Sequence, residues 1–293
     1  MASKSEIKRK KVYYFMIIPF FVLFTICILI PIGYAFYISF FKWSGVTIES
    51  TFVGLENYID MFSDPLFWKC AQNTVIFTAG FLLLTTTFSL MLALALNKIM
   101  RGTVLFRTMS FIPYVTSSAV IAIVWRLMFD HAYGVLNIIL ESLGLPRVLW
   151  LSKDMAIYSC LLVSVWQNLG YYTVLLLAGL QTIPDVYYDA AKVDGAGGGV
   201  IFKEITLPLL KPTLFMVIAL ETLSSFFVYD IVYTLTQGGP GYASTTLMYY
   251  LYRRGFINFY FGYASAIGIF LAAIGFIVVM FQRRYIGRPA AQF

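Results

Sequence analysis

Little in this sequence is equipped for covalent or metal chemistry. Its 293 residues hold one histidine, His131, with no cysteine, serine or metal-ligand constellation around it. The three cysteines, Cys27, Cys70 and Cys160, are odd in number and lack CxxC spacing. Two of them sit in apolar runs, so buried thiols are expected rather than a disulfide or a metal site. The stretch Gly195-Ala196-Gly197-Gly198-Gly199 is glycine-rich like a phosphate loop, but it lacks the Gly-Lys-Ser/Thr ending and no strand precedes it. The chain thus offers no catalytic residue, no metal ligand set and no nucleotide site of its own. Its chemistry is hydrogen bonding by a few polar groups deep in apolar surroundings. Ser118, Asn168 and Glu221 each fall near the midpoint of a long apolar segment. Polar groups at such depth are costly, which makes them functional candidates by default. On helices, Ser225 lies one turn beyond Glu221 on the same face, and Tyr171 follows Asn168 by three residues on its face. Gln167 and Ser164 are close by. Asp230 follows Glu221 by nine residues, half a rotation and about 14 Å further along a continuous helix, which predicts a structural role near a boundary.

The elements that position these groups follow from composition. The chain is 60% apolar and only 12% charged, with a mean hydropathy of +0.81. An ordinary globular domain carries about 25% charged residues, so this one cannot cover itself with a solvated surface, and a water-soluble enzyme is excluded. With 18% aromatic residues it is the reverse of a disordered chain. A helix needs about 20 apolar residues to cross the hydrocarbon core. Six segments reach that length: 13–39, 72–97, 105–128, 156–180, 212–236 and 262–282. The first is too long for a signal-peptide core and lacks a small-residue cleavage site, so it reads as a retained span. Six spans place both termini on one side. That side receives fourteen Lys and Arg against seven on the other, which orients both ends to the cytoplasm. Trp43, Trp68, Trp125 and Trp150 fall near the outer boundary, where indoles prefer to sit. The net charge of +7 is gathered at 4–11 and 283–288 beside apolar runs, so these clusters read as topology signals rather than a nucleic-acid patch. The expectation is an all-α polytopic membrane protein: a tail at 1–12, a six-helix domain at 13–283 and a second tail at 284–293.

That topology makes 181–211 the longest cytoplasmic loop, and a long structured loop usually has a task. Pro184-Asp185 suits a helix start with Asp185 as N-cap, 186–193 suits a short helix, and Gly195 suits its stop. Pro208 and Pro212 bracket the approach to the fifth span. The loop reads Asp189-Ala190-Ala191-Lys192-Val193-Asp194-Gly195-Ala196, then Phe202, Ile205, Leu207 and Pro208. Two consecutive alanines offer a small, smooth helix face able to enter a partner's groove. The glycine permits a sharp reversal, and Asp189 and Asp194 can meet partner cations.

This loop resembles the EAA coupling motif of bacterial ABC importer permeases, E-A-A-x-x-D-G-A…F-x-x-I-x-L-P, over about twenty positions, with Asp189 in place of the first glutamate. The resemblance extends nearly end to end. Phe52-Val53-Gly54-Leu55-Glu56-Asn57-Tyr58, then Asp64 to Trp68, look like the first outer segment of sugar-type permeases. Thr236 to Gly241, with Phe261 to Ala266, look like the connection of their fifth and sixth spans.

The resemblance implies the type I ABC importer permease fold and alternating access. It implies that Asp189, Ala190, Ala191, Asp194, Gly195 and Ala196 couple the chain to a separate ATPase. It implies a second permease subunit in a heterodimer, two copies of a cytoplasmic ATPase that bind ATP and magnesium, an extracytoplasmic solute-binding protein and a sugar cargo. The maltose-type substrate site aligns with Ser118, Ser164, Gln167, Asn168, Tyr171, Glu221 and Ser225. A sugar needs amide or carboxylate partners and an aromatic platform, which these residues can provide. Serines and asparagines also form hydrogen-bonded seams between spans, and both roles stay open for Ser118 and Ser225. An ionised Glu221 would repel a phosphate or uronate, so a neutral or cationic cargo is expected. A rival from another class is a proton-coupled secondary carrier using Glu221 and Asp230. No internal repeat of the kind such carriers often show is evident.

Overall fold

A computed structural model of the chain describes residues 15–46, 49–98 and 103–285. The basic cluster at 4–11 and Arg288 lie outside the described residues. Five helices are long and apolar enough to cross a membrane, and a sharply bent pair meets the same length and hydropathy test when its two halves are taken together. The helices group into two compact units, Met1–Asp64 with Leu251–Phe270, and Pro65–Tyr250 with Leu271–Phe293.

In the first unit, the leading span runs Phe15–Ile38 and buries none of its most apolar window against the chain. Cys27 is accordingly exposed, whereas Cys70 and Cys160 are buried. This corrects the expectation that an apolar run hides its thiol: a helix surrounded by lipid is apolar on every side. The span widens into a π-turn at Thr25–Leu29, just before Pro31. Proline has no N–H, and its ring crowds the carbonyl four residues back; the wider turn accommodates it. Beyond the span, Phe41–Trp43 and Ser50–Phe52 form an antiparallel hairpin in the register Phe41↔Phe52, Lys42↔Thr51, Trp43↔Ser50. Composition gave no sign of this small sheet in an otherwise helical chain. The buried Asn57, on the helix Glu56–Ser63, donates to the carbonyls of Ser39 at 2.8 Å and Phe41 at 3.0 Å, tying the hairpin to the end of the span.

The second unit is built around the span Ala156–Gln181, the most buried of the five. It packs against the second span (Pro65–Asn97), the first half of the bent pair and the fifth span. Apolar burial does not drive helices together in lipid, so close packing and polar seams must. Gly170 shows the packing: a Cβ there would sit 1.8 Å from the Ser110 carbonyl oxygen, so only glycine admits the neighbouring backbone. Ser89 shows the seam, donating to the Leu169 carbonyl at 3.1 Å.

Three expected segments differ in the structure. The second span starts at Pro65 rather than 72. The third is not one straight helix over 105–128 but Leu105–Val115 and Ser118–Met128, bent by 95°. Pro113 weakens the hydrogen-bond ladder just before the break, and Ser117 is extended, with ψ 128°. The fifth expected span, 212–236, is displaced: the helix is Gly198–Phe226. It begins with a π-turn at Phe202–Thr206 just ahead of Pro208, as at Pro31. Pro212 lies inside it, not at its edge. It stops at Phe226, and a separate π-turn covers Val232–Thr236. The sixth span, Phe261–Tyr285, matches its expected segment closely.

Candidate functional site

Between the fourth and fifth spans the loop folds as a helix, Asp185–Val193. Pro184, not Asp185, is the N-cap, and no side chain caps the end; Asp185 instead opens the first turn, where a carboxylate complements the helix dipole. The stop is as expected. Gly195 has φ +76°, and the Ala196 amide donates back to the Ala191 carbonyl at 2.9 Å, the long-range bond of a glycine C-terminal cap. The sequence predicts the two alanines on one outward face, and they do not share it. Ala191 is buried and Ala190 exposed, because adjacent helical positions point about 100° apart. Asp189 and Asp194 are both exposed, and Asp189 pairs with Lys192 at 3.0 Å in an open ion pair. Val186 and Val193 are 66% and 87% exposed. The surface thus carries apolar side chains beside two acids.

The polar residues within the spans divide into two places. A cavity of about 170 Å³ is lined by Ser118, Ser164, Gln167, Asn168 and Ser225, five of the seven expected substrate residues. Gln167 donates to Ser118 Oγ at 3.0 Å and to the Thr116 carbonyl at 3.4 Å, across the 95° bend. Asn168 Nδ2 donates to the Ser164 carbonyl at 2.9 Å. Ser164 Oγ is buried and has no partner among the described residues. Orphaned buried hydroxyls are uncommon and call for a ligand or water.

Glu221 and Tyr171 lie outside this lining. Glu221 is fully buried and accepts a hydrogen bond from Thr86 Oγ1, while its other oxygen, Oε1, has no partner among the described residues. Thr85 Oγ1 and Thr78 Oγ1, on the same neighbouring span, are also buried and unpartnered. Tyr171 stacks on Tyr114 with centroids 4.3 Å apart and planes 9° from parallel. Next to it, Tyr172 meets the Ser224 hydroxyl at 3.1 Å.

Thr86 escaped the sequence, and Asp230 sits elsewhere than expected. Thr86, the partner of Glu221, stands in a run of three threonines with nothing to single it out. Asp230 lines the cavity. Its expected place half a rotation from Glu221 assumed an unbroken helix, and the helix ends at Phe226. No proline or glycine marks that break, so only the folded chain reveals it.

With this geometry in hand, comparison with known proteins is direct. Residues 85–288 match the family of binding-protein-dependent transport system inner membrane components. The trehalose/maltose transport system permease protein MalF of Thermococcus litoralis is 36% identical over 282 residues, covering 95% of each chain. The sn-glycerol-3-phosphate transport system permease protein UgpA of Brucella suis is 34% identical, covering 97% of each. A bacterial alginate ABC transporter, solved in complex with an alginate pentasaccharide-bound periplasmic protein, shares the fold at a TM-score of 0.81. Its identity is 24%, over 96% of this chain and 95% of that one. The chain therefore belongs to the binding-protein-dependent inner-membrane components, among the sugar-type permeases of ABC importers. This membership tells against a self-sufficient proton-coupled carrier.

Proposed function

We propose that the chain carries a neutral sugar, as one permease half of an ATP-driven importer working by alternating access. The observation that carries this reading is the lining of the intramembrane cavity. It combines amide, hydroxyl and carboxylate groups (Asn168, Gln167, Ser118, Ser225, Asp230) with the rings of Phe77, Phe81 and Tyr229, and contains no Lys or Arg. Such a surface suits hydroxyl groups and apolar sugar faces, and leaves a phosphate without a countercharge. The relatives include a trehalose/maltose and a glycerol-phosphate permease, so the charge of the cavity, not kinship, discriminates between cargoes. At about 170 Å³ the cavity is smaller than the 300–1,000 Å³ of typical ligand pockets. A facing second permease would complete it.

The exposed Asp185–Val193 helix would seat in the cytoplasmic ATPase, bringing Asp189, Ala190, Asp194 and Gly195 to the contact, with Ala191 and Ala196 holding the helix end. ATP and magnesium would bind the two ATPase copies. Their closure would push this helix and open the cavity toward a solute-binding protein outside, with both termini of the chain in the cytoplasm. The test is uptake by the complete reconstituted importer, comparing neutral sugars with their phosphorylated forms. Preference for the neutral forms is expected, and preferential uptake of a phosphorylated cargo overturns the reading.

A further inference from the structure

We propose that the chain has a second saccharide site, outside the translocation cavity, in the unit formed by 1–64 and 251–270. It rests on the reading that the importer carries a sugar. The hairpin Phe41–Trp43 and Ser50–Phe52, the helix Glu56–Ser63 and the segment leading into the sixth span enclose a cavity of about 560 Å³. This is within the range of small-ligand pockets, and about three times the volume of the intramembrane one. In the proposed topology, with six crossings and both termini in the cytoplasm, the connections that build it lie on the face from which cargo arrives.

The lining identifies the class of ligand. Trp43 and Tyr260 supply rings, Asp60 and Asp64 acceptors, and Lys42 and Arg254 donors. An inorganic ion would have no use for the rings, and an apolar ligand would strand the charges. Glu49 also lines the cavity, so three carboxylates face two cations and an anionic ligand is disfavoured. Rings beside donors and acceptors match a neutral pyranose, with an apolar face to stack and hydroxyls that both give and accept hydrogen bonds.

The polar wall is held in place rather than left to solvent. Asp64 Oδ2 accepts from Arg254 Nη2 at 3.2 Å and from Tyr263 Oη at 3.1 Å. The Arg254 guanidinium sits 5.3 Å from the Tyr263 ring centroid. An independent observation comes from the backbone. Phe259 has φ +60°, a left-handed conformation unusual for a bulky residue. The Tyr260 amide bond to the Arg254 carbonyl, 2.8 Å, closes the turn, and both Phe259 and Tyr260 line the cavity. Strain of this kind is retained at ligand clamps.

The test uses the purified importer in lipid nanodiscs, without binding protein, with radiolabelled maltose and trehalose as probes in equilibrium dialysis. Two classes of bound sugar are expected. Asp60→Asn and Tyr260→Ala should each weaken one class about tenfold, the loss expected for a stacking surface or a charge-assisted hydrogen bond. Asn168→Ala should remove the other class. Asp60 and Tyr260 are exposed, so these variants keep the fold; full-strength binding of the Asn168-sensitive class in them confirms it. A single class, lost with Asn168→Ala and untouched by Asp60→Asn and Tyr260→Ala, overturns the second site and leaves sugar transport standing. No binding of either sugar by an importer that takes one of them up overturns the second site alone, and preferential uptake of phosphorylated over neutral sugars overturns both.

Discussion

At the scale of single residues, Glu221 is the charged side chain fully buried among the described residues, with one oxygen held by Thr86 and the other without a partner among them. Removing the donor leaves a buried carboxyl with no acceptor contact satisfied, which costs about 1–3 kcal/mol. Thr86→Val should therefore lower the unfolding temperature of the detergent-solubilised protein. The pair Thr86→Val with Glu221→Leu should recover most of that loss, because replacing both partners by apolar groups of similar shape is close to neutral. If Glu221 also meets substrate, the double variant is stable and still impaired in uptake. The sequence singles out Glu221 by depth alone; Thr86 has no such mark, since its role arises from which faces of two spans meet. Asp230 belongs to the same lesson. Asp230→Ala should raise the KM for sugar uptake about tenfold, the loss of one charge-assisted hydrogen bond, with the basal ATPase rate of the complex unchanged.

At the scale of elements, prolines and glycines set the geometry of the spans and of the loop proposed to meet the ATPase. Pro31 and Pro208 are each preceded by a π-turn, and Pro113 by a helix that breaks two residues later at a 95° bend. A proline in a span is legible in the sequence, but whether the helix widens or breaks depends on what neighbouring spans supply to the freed carbonyls. Gly195 is the clearest case in which sequence and structure agree, since the αL turn that stops the Asp185–Val193 helix needs a residue without a Cβ. Gly195→Ala should cost the helix end about 1 kcal/mol and reduce uptake. Gly195→Pro also removes the amide bonded to the Lys192 carbonyl and should abolish uptake with normal membrane insertion. Normal transport by Gly195→Pro would end the docking role of this helix. The open Asp189–Lys192 pair contributes under about 1 kcal/mol to stability, so an effect of Asp189→Asn on ATPase stimulation would report the partner contact.

At the scale of the whole molecule, the apolar faces left uncovered ask for lipid and for subunits. The span Phe15–Ile38 buries none of its most apolar window in this chain, and the 170 Å³ cavity is small for a sugar. Affinity purification of the tagged chain should bring down a second permease and an ATPase; recovery of the chain alone would contradict the assembly. Orientation is checked by a membrane-impermeant thiol reagent. Tyr133 and Val193 are both 87% exposed, and they lie in connections on opposite sides of the six-span topology. Tyr133→Cys should label in intact cells, and Val193→Cys only after lysis.

Composition and periodicity by themselves determined that this chain lives in a membrane, which segments are apolar and long enough to cross it, and where the helix-bearing loop after the fourth of them lies. Those properties follow from the transfer of side chains between water and lipid, which depends on residue type and segment length. The turn at Gly195 was equally legible, because its conformation is local. Only the tertiary structure decided that the third span bends, that the fifth starts fourteen residues early and stops at Phe226, and that Asp230 rather than Glu221 lines the cavity. In lipid an apolar surface does not say which neighbour it prefers. The choice is made by close packing and a few hydrogen bonds between residues far apart in the chain, such as Gln167 with Ser118 and Thr86 with Glu221.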